Sequence, residues 1–105
     1  MRFGMMLAMV MVSACAGGSG TRADDILALT GDATAGATIY SDNCAVCHGA
    51  DGTGGSGPNI TGESVGDEAI NVVIDGKESM SAFGDVLSDQ DIADLFAYMD
   101  ESVFN

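Results

Sequence analysis

The chain has 105 residues, including 15 Gly, 3 Cys, 1 His and no Trp, which suffices for one small domain and excludes a multi-domain enzyme. Three basic residues stand against 16 acidic ones, for a formal net charge of -13. Binding to a phosphate backbone needs Lys and Arg to displace counterions, so nucleic acid is excluded as a partner.

Much of the hydrophobic content lies at the start, where Arg2 precedes Phe3, Met5, Met6, Leu7, Met9, Val10, Met11 and Val12. The apolar run from Phe3 to Ala14 falls short of the roughly 20 residues a membrane-spanning helix needs. Its flanks are one cation and a set of small residues, so residues 1–14 are expected to be an export signal. Val12-Ser13-Ala14-Cys15 resembles the lipobox of bacterial lipoproteins, which implies that Cys15 is acylated and becomes the mature N-terminus. The rival is cleavage after Ala16, which would discard Cys15. The lipobox is preferred because Cys15 otherwise has no role in an odd count of three. Several acyl chains, at about 0.8 kcal/mol per buried methylene, would anchor the protein firmly.

Residues 15–30 are Gly-rich and polar, and are expected to be a flexible tether with a reach of roughly 22 Å. Within it Ile26-Leu27-Ala28-Leu29 is expected to pack beneath the next helix. Residues 31–105 are the expected globular domain. It contains no period-2 strand pattern, and its expected class is all-α with three helices. Asp32 caps a first helix from Ala33 to about Asn43, on which Gly36 and Tyr40 share a face. A second helix runs from Asp67 to Asp75 with Ile70, Val73 and Ile74 as its stripe and Gly76 as a left-handed cap. The third begins at Ser88, whose spacing from Asp91 matches a capping box. Its stripe is Ile92, Leu95, Phe96, Met99 and Val103, with the acidic residues expected on the opposite face. So thin a core calls for a covalent or metallic staple.

Cys44-Ala45-Val46-Cys47-His48 supplies one. This CxxCH pattern is the attachment signature of c-type haem: two thiols three residues apart bond the two vinyl arms of one porphyrin, and the adjacent imidazole faces the iron. A structural zinc site wants four ligands and finds three here. A thioredoxin-like CxxC belongs near a βαβ unit, and no strand pattern is present. With one His in the sequence, the second axial ligand falls to methionine. Met80 lies in a Gly-bounded stretch between Gly76 and Gly84, where a thioether can turn inward, whereas Met99 already has a place in the apolar stripe. Gly52, Gly54 and Gly57 also fit GxGxxG, but no strand precedes them and Pro58 follows. These glycines, with Gly49 and Gly55, either let the backbone approach the porphyrin or form a mobile loop.

Residues 31 to about 101 resemble the class I cytochromes c, in particular short bacterial monohaem modules. Gly36 and Tyr40 resemble that family's first-helix contact residues, and Leu95 and Tyr98 those that cross them. Gly57-Pro58-Asn59 resembles the segment whose Pro carbonyl accepts the hydrogen bond of the proximal His, a role that falls here to Pro58 acting on His48. Met80-Ser81-Ala82-Phe83 resembles the Met-Pro-x-Phe ligand loop, with Ser81 in place of Pro.

The resemblance implies a class I cytochrome c fold around one covalent haem c. It implies an electron carrier rather than an enzyme, with His48 and Met80 on the iron and Cys44 and Cys47 as thioethers. Its expected partners are a redox donor and acceptor. Because the chain lacks a ring of lysines, their docking faces are expected to be basic or largely apolar. The expected location is the periplasmic side of a bacterial membrane, lipid-anchored through Cys15, with a soluble periplasmic protein as the alternative. The rival function is a ligand-binding or sensory haem protein in which the Met80 bond is labile or absent, and a non-haem thiol or metal protein is the third possibility.

Overall fold

A computed structural model of the chain describes residues 21–104, so the expected export signal and the expected acylated Cys15 lie outside the described residues. The element order is α1 (Arg22–Leu27), α2 (Ala33–Asn43), α3 (Ala45–His48), α4 (Asp67–Asp75) and α5 (Asp89–Ser102). Among the described residues there is no strand, only an isolated antiparallel bridge between Lys77 and Met80.

Three helices form where their end signals place them. The Asp32 carboxylate accepts the backbone N–H groups of Thr34 and Ala35 at the start of α2. At α5, Ser88 accepts from the Asp91 N–H while the Asp91 carboxylate accepts from the Ser88 N–H. Gly76, at φ 77°, ends α4 and donates its N–H to the Val72 carbonyl. The stripe of α5 is buried as expected, with Ile92, Leu95, Phe96, Met99 and Val103 all in the core.

Within the segment expected as a tether, Arg22–Leu27 form a helix. Thr21 and Asp24 make a reciprocal capping box that starts α1 at Arg22. Ala23 and Ile26 are fully buried, while Leu27 and Leu29 remain exposed. Rather than residues 26–29 packing beneath α2 as expected, α1 packs against α5 and α4. The capping box and the three-residue spacing of Ala23 and Ile26 are too short a signal to register beside a Gly-rich run.

The architecture turns on the crossing of α2 over α5. A Cβ at Gly36 would overlap the carbonyl oxygen of Asp94 and come within 2.9 Å of Tyr98 Cβ. Gly31 stands in the same relation to Ala93 and Ala97. The two backbones therefore touch, and one turn further on the Tyr40 and Tyr98 rings lie 5.5 Å apart at a 47° tilt. Tyr98 crosses Gly36 and Tyr40 as expected. Leu95 is buried in the core, and the other residues at the crossing are Ala93, Asp94 and Ala97.

One acidic residue departs from the expected polar face. Asp94 is buried on α5, where its Oδ1 accepts the Asp32 N–H (2.8 Å) and the Gln90 side-chain amide (2.9 Å). A buried carboxylate without such donors would cost several kcal/mol, so these bonds let it serve as a tie between α5 and the start of α2.

Gly36→Ala tests the crossing. Helix propensity alone would favour Ala by up to about 1 kcal/mol. The overlap with the Asp94 carbonyl forces the helices apart, and a net loss of about 1–3 kcal/mol is expected. Thermal unfolding of the haem-loaded protein should show a lower midpoint by several degrees.

Candidate haem site

Cys44 is both the last cap of α2 and the first of α3, so a single break in an otherwise helical run carries the CxxCH segment. The Cys44 N–H donates to the Tyr40 carbonyl (2.8 Å), and the His48 N–H donates to the Cys44 carbonyl (2.9 Å). Cys44 is buried and Cys47 exposed. Burial, with a smaller contribution from the neighbouring Cys47, pushes the Cys44 thiol up from 9.0 to about 11. Thiol–disulfide chemistry needs the opposite in its attacking cysteine, a lowered pKa, so Cys44 is ill suited to that role.

A four-residue helix leaves its carbonyls without partners, and the Gly-rich loop supplies them. The Gly54 N–H donates to the His48 carbonyl and the Gly57 N–H to the Cys47 carbonyl, each at 2.8 Å. At Gly54, φ is 112°, a conformation L side chains avoid. A Cβ at Gly57 would sit 3.2 Å from both Cys47 Cβ and His48 Cε1. These glycines therefore fold the loop back over the CxxCH turn. At Gly57 the close approach is to the side chains of Cys47 and His48, and the N–H groups of the GxGxxG glycines bind peptide carbonyls.

The loop delivers Pro58 to His48. The imidazole is largely buried, and its Nδ1 lies 2.8 Å from the Pro58 carbonyl oxygen. A carbonyl only accepts, so Nδ1 is the donor, and in the neutral imidazole Nε2 keeps its lone pair free. Nε2 has no hydrogen-bond partner among the described residues. A buried, oriented imidazole with an unused lone pair, beside two thiols on the same helical turn, fits a covalently attached haem whose iron takes Nε2. Behind it, the Tyr40 hydroxyl donates to the Gly49 carbonyl (2.7 Å), tying α2 to the residue after His48. The sequence marked Tyr40 as a helix contact. The hydroxyl's partner lies across a turn that local patterning does not describe.

Met80 is half-buried and packs against the core cluster. Its backbone is paired with Lys77, the two N–H groups donating reciprocally at 2.9 and 3.2 Å. Met99 is 4% exposed, within the stripe of α5.

A helical fold crossed at small residues, with CxxCH on a turn and a proline carbonyl behind the histidine, defines a class I c-type cytochrome. The model of the family described as cytochrome c oxidase, cbb3-type, subunit III matches residues 31–99. Cytochrome c6 of a Picosynechococcus strain is 35% identical over 94 residues, covering 74% of this chain and 80% of that protein. A cytochrome c-553-like protein of a Synechocystis strain is 51% identical over 39 residues, 37% of each chain. Among solved structures, cytochrome c6 of the diatom Phaeodactylum tricornutum superposes with a TM-score of 0.55 at 35% identity, over 68% of this chain and 97% of that one. Cytochrome cL of Hyphomicrobium denitrificans shares the fold, with a TM-score of 0.59 at 23% identity, over 64% of this chain and 45% of that one.

The chain belongs to the c-type cytochromes, in the cbb3-type family whose model spans residues 31–99. Membership brings covalently bound haem c, with Cys44, Cys47 and His48 as the CxxCH residues, and makes the chain an electron-transfer protein rather than an enzyme. Among the described residues no helix is long and apolar enough to cross a membrane.

Tyr40→Phe probes the tie behind the site. Burial raises the folded-state pKa of Tyr40 above its ordinary value of 10.0. The protonated hydroxyl thus contributes stability in full below pH 10, and that contribution fades as pH rises toward the folded pKa, because the unfolded chain ionises first. The variant should be less stable by about 1 kcal/mol at neutral pH. The gap should narrow in denaturant titrations above pH 10.

Proposed function

We propose that the chain is a one-electron carrier outside the cytoplasm, its haem iron held by His48 on one side and Met80 on the other. The observation that carries this reading is the His48–Pro58 bond, which presents Nε2 in one orientation and tautomer. When bound, the haem supplies the exchange between ferrous and ferric iron, and a Met ligand on the second side favours the ferrous form and raises the potential. The protein's own part is to hold both ligands still in a water-poor crevice, so that little rearranges when the charge changes. Support for Met80 comes from its half-burial, its pairing with Lys77, and the anchoring of the following residues to α4, where the N–H of Phe83 donates to the Val73 carbonyl at 2.8 Å. The rival, an open iron that takes a small gas, draws on Ser81, which leaves the ligand loop without a proline ring.

Met80→Ala should leave the covalent haem in place but convert a low-spin, six-coordinate iron into one that binds carbon monoxide or imidazole readily. Met99→Leu, which nearly conserves volume, should cost less than about 1.5 kcal/mol. Loss of the thioether-to-iron absorption band in the Met99 variant, rather than the Met80 variant, would show that the ligand is misassigned.

We further propose that Cys15 carries a lipid anchor and that the carrier works at the periplasmic face of a bacterial membrane. Supporting this are the lipobox pattern and the short distance in sequence from Cys15 to α1. With a net charge of -13, the domain suits a redox partner with a basic or apolar docking face. Cys15→Ala should move the protein from the membrane to the soluble fraction with its haem attached. With that soluble product, electron transfer to a basic-faced partner should slow as salt rises, since the Debye length is about 10 Å at 0.1 M. A wild-type N-terminus at Gly17, unacylated and soluble, would refute the anchor.

A further inference from the structure

Arg22 opens α1, ahead of residues 31–99 that the family model matches. Its guanidinium reaches across the sequence to three residues of one segment. Nε donates to Asp89 Oδ1 at 2.6 Å, Nη1 to the Gly84 carbonyl at 2.7 Å and Nη2 to the Leu87 carbonyl at 3.1 Å. The pair with Asp89 is partly exposed, its side chains 35% and 44% accessible, so charge attraction alone is a small part of the effect. The geometry matters more, because a planar fork of donors satisfies two carbonyls and a carboxylate together, which an ammonium cannot do.

That segment is the exit of the Met80 loop. The Gly84 N–H donates to the Ile74 carbonyl at 3.0 Å, and a Cβ at Gly84 would come within 3.0 Å of both Ile74 Cγ2 and Arg22 Nη1. Gly84 is thus clamped between α4 and Arg22. At the entry, Gly76 lies so close that a Cβ there would be 2.6 Å from the Met80 carbonyl oxygen, and Lys77 pairs with Met80. Between the clamps, Ser81 and Ala82 are exposed, and no proline ring stiffens them. The loop is held at its ends and not from within. Arg22 itself is presented by a seated helix, since the buried Ala23 and Ile26 hold α1 against α5 and α4.

We infer that Arg22 is a positioning residue for the Met80 thioether: an N-terminal element outside the matched domain holds the exit of the ligand loop and so limits how often the sulfur leaves the iron. The inference rests on the proposal that Met80 is a ligand. Without the fork the loop exit would be held only by the bonds of the Phe83 and Gly84 N–H groups to α4, which would open more often and so raise the fraction of molecules in which a small competing ligand finds the iron open.

The test uses the full-length, haem-loaded protein and compares imidazole binding to the ferric form in the wild type, Arg22→Gln, Arg22→Lys, Met80→Ala and Asp32→Ala. Asp32→Ala removes the cap of α2, whose hydrogen bonds do not involve residues 76–87, and lowers stability by an ordinary amount. Arg22→Gln is expected to bind imidazole roughly fivefold more tightly than the wild type, as the loss of charged hydrogen bonds of this kind warrants. Arg22→Lys should fall between the two, and Asp32→Ala should match the wild type in imidazole binding despite its lower melting temperature. Amide exchange at Phe83 and Gly84 should accelerate in Arg22→Gln. A wild type that shows the thioether-to-iron band, and an Arg22→Gln that melts earlier but binds imidazole no better, would overturn the inference and leave the Met80 reading intact. A wild type without the band, binding imidazole as Met80→Ala does, would overturn both.

Discussion

The close approach of α2 to α5 places everything else. Helix axes come within backbone contact only where no Cβ intervenes, and Gly31 and Gly36 provide this against Ala93 and Asp94. One turn beyond Gly36, Tyr40 meets Tyr98 and extends its hydroxyl to the carbonyl of Gly49. That contact fixes where the chain goes after His48. From there the glycine loop folds back, completes the hydrogen bonds of α3 and brings Pro58 to the imidazole. A helix crossing only one side chain wider would shift each of these contacts in turn.

A domain with so few cations meets its polar obligations mostly with backbone groups. Asp94 is stabilised by the Asp32 amide and Gln90 instead of a cation, and Gln90 also donates to the Thr30 carbonyl. Arg22, one of the three basic residues, spends its guanidinium on two carbonyls and one carboxylate near the start of α5. The first half of α5 thus receives the start of α2 through Asp94 and the start of α1 through Asp89. Such ties combine hydrogen-bond direction with burial, which makes them more specific than surface ion pairs of the same length.

The two sides of the haem site are held differently. On the His48 side, the ligand belongs to a helical turn whose own carbonyls are capped by the loop that also supplies Pro58, so orientation is local and over-determined. On the side proposed for Met80, the loop is short, partly exposed and tied down at its margins, by α4 and by α1. An electron carrier benefits when both ligands stay in place as the iron changes charge. With Met80 as the proposed second ligand, holding it falls to contacts distant in sequence.

What the sequence determined is what short-range physics encodes. CxxCH requires three side chains within one helical turn, and those residues stand alone as a signature. The caps at Asp32, Ser88 with Asp91, and Gly76 are single-turn hydrogen-bond patterns, and the α5 stripe is a period, so all were legible without coordinates. The contact of Pro58 with His48 was legible through resemblance to a family motif rather than through any local rule. What only the tertiary structure decided depends on residues far apart in the chain. The burial of Asp94 among acidic neighbours, the role of Gly31 at the crossing, the seating of α1 and the reach of Arg22 to Gly84 and Leu87 all have partners about sixty residues away. No local pattern marks such a pairing, because its energy exists only after the helices have packed and water has left the space between them.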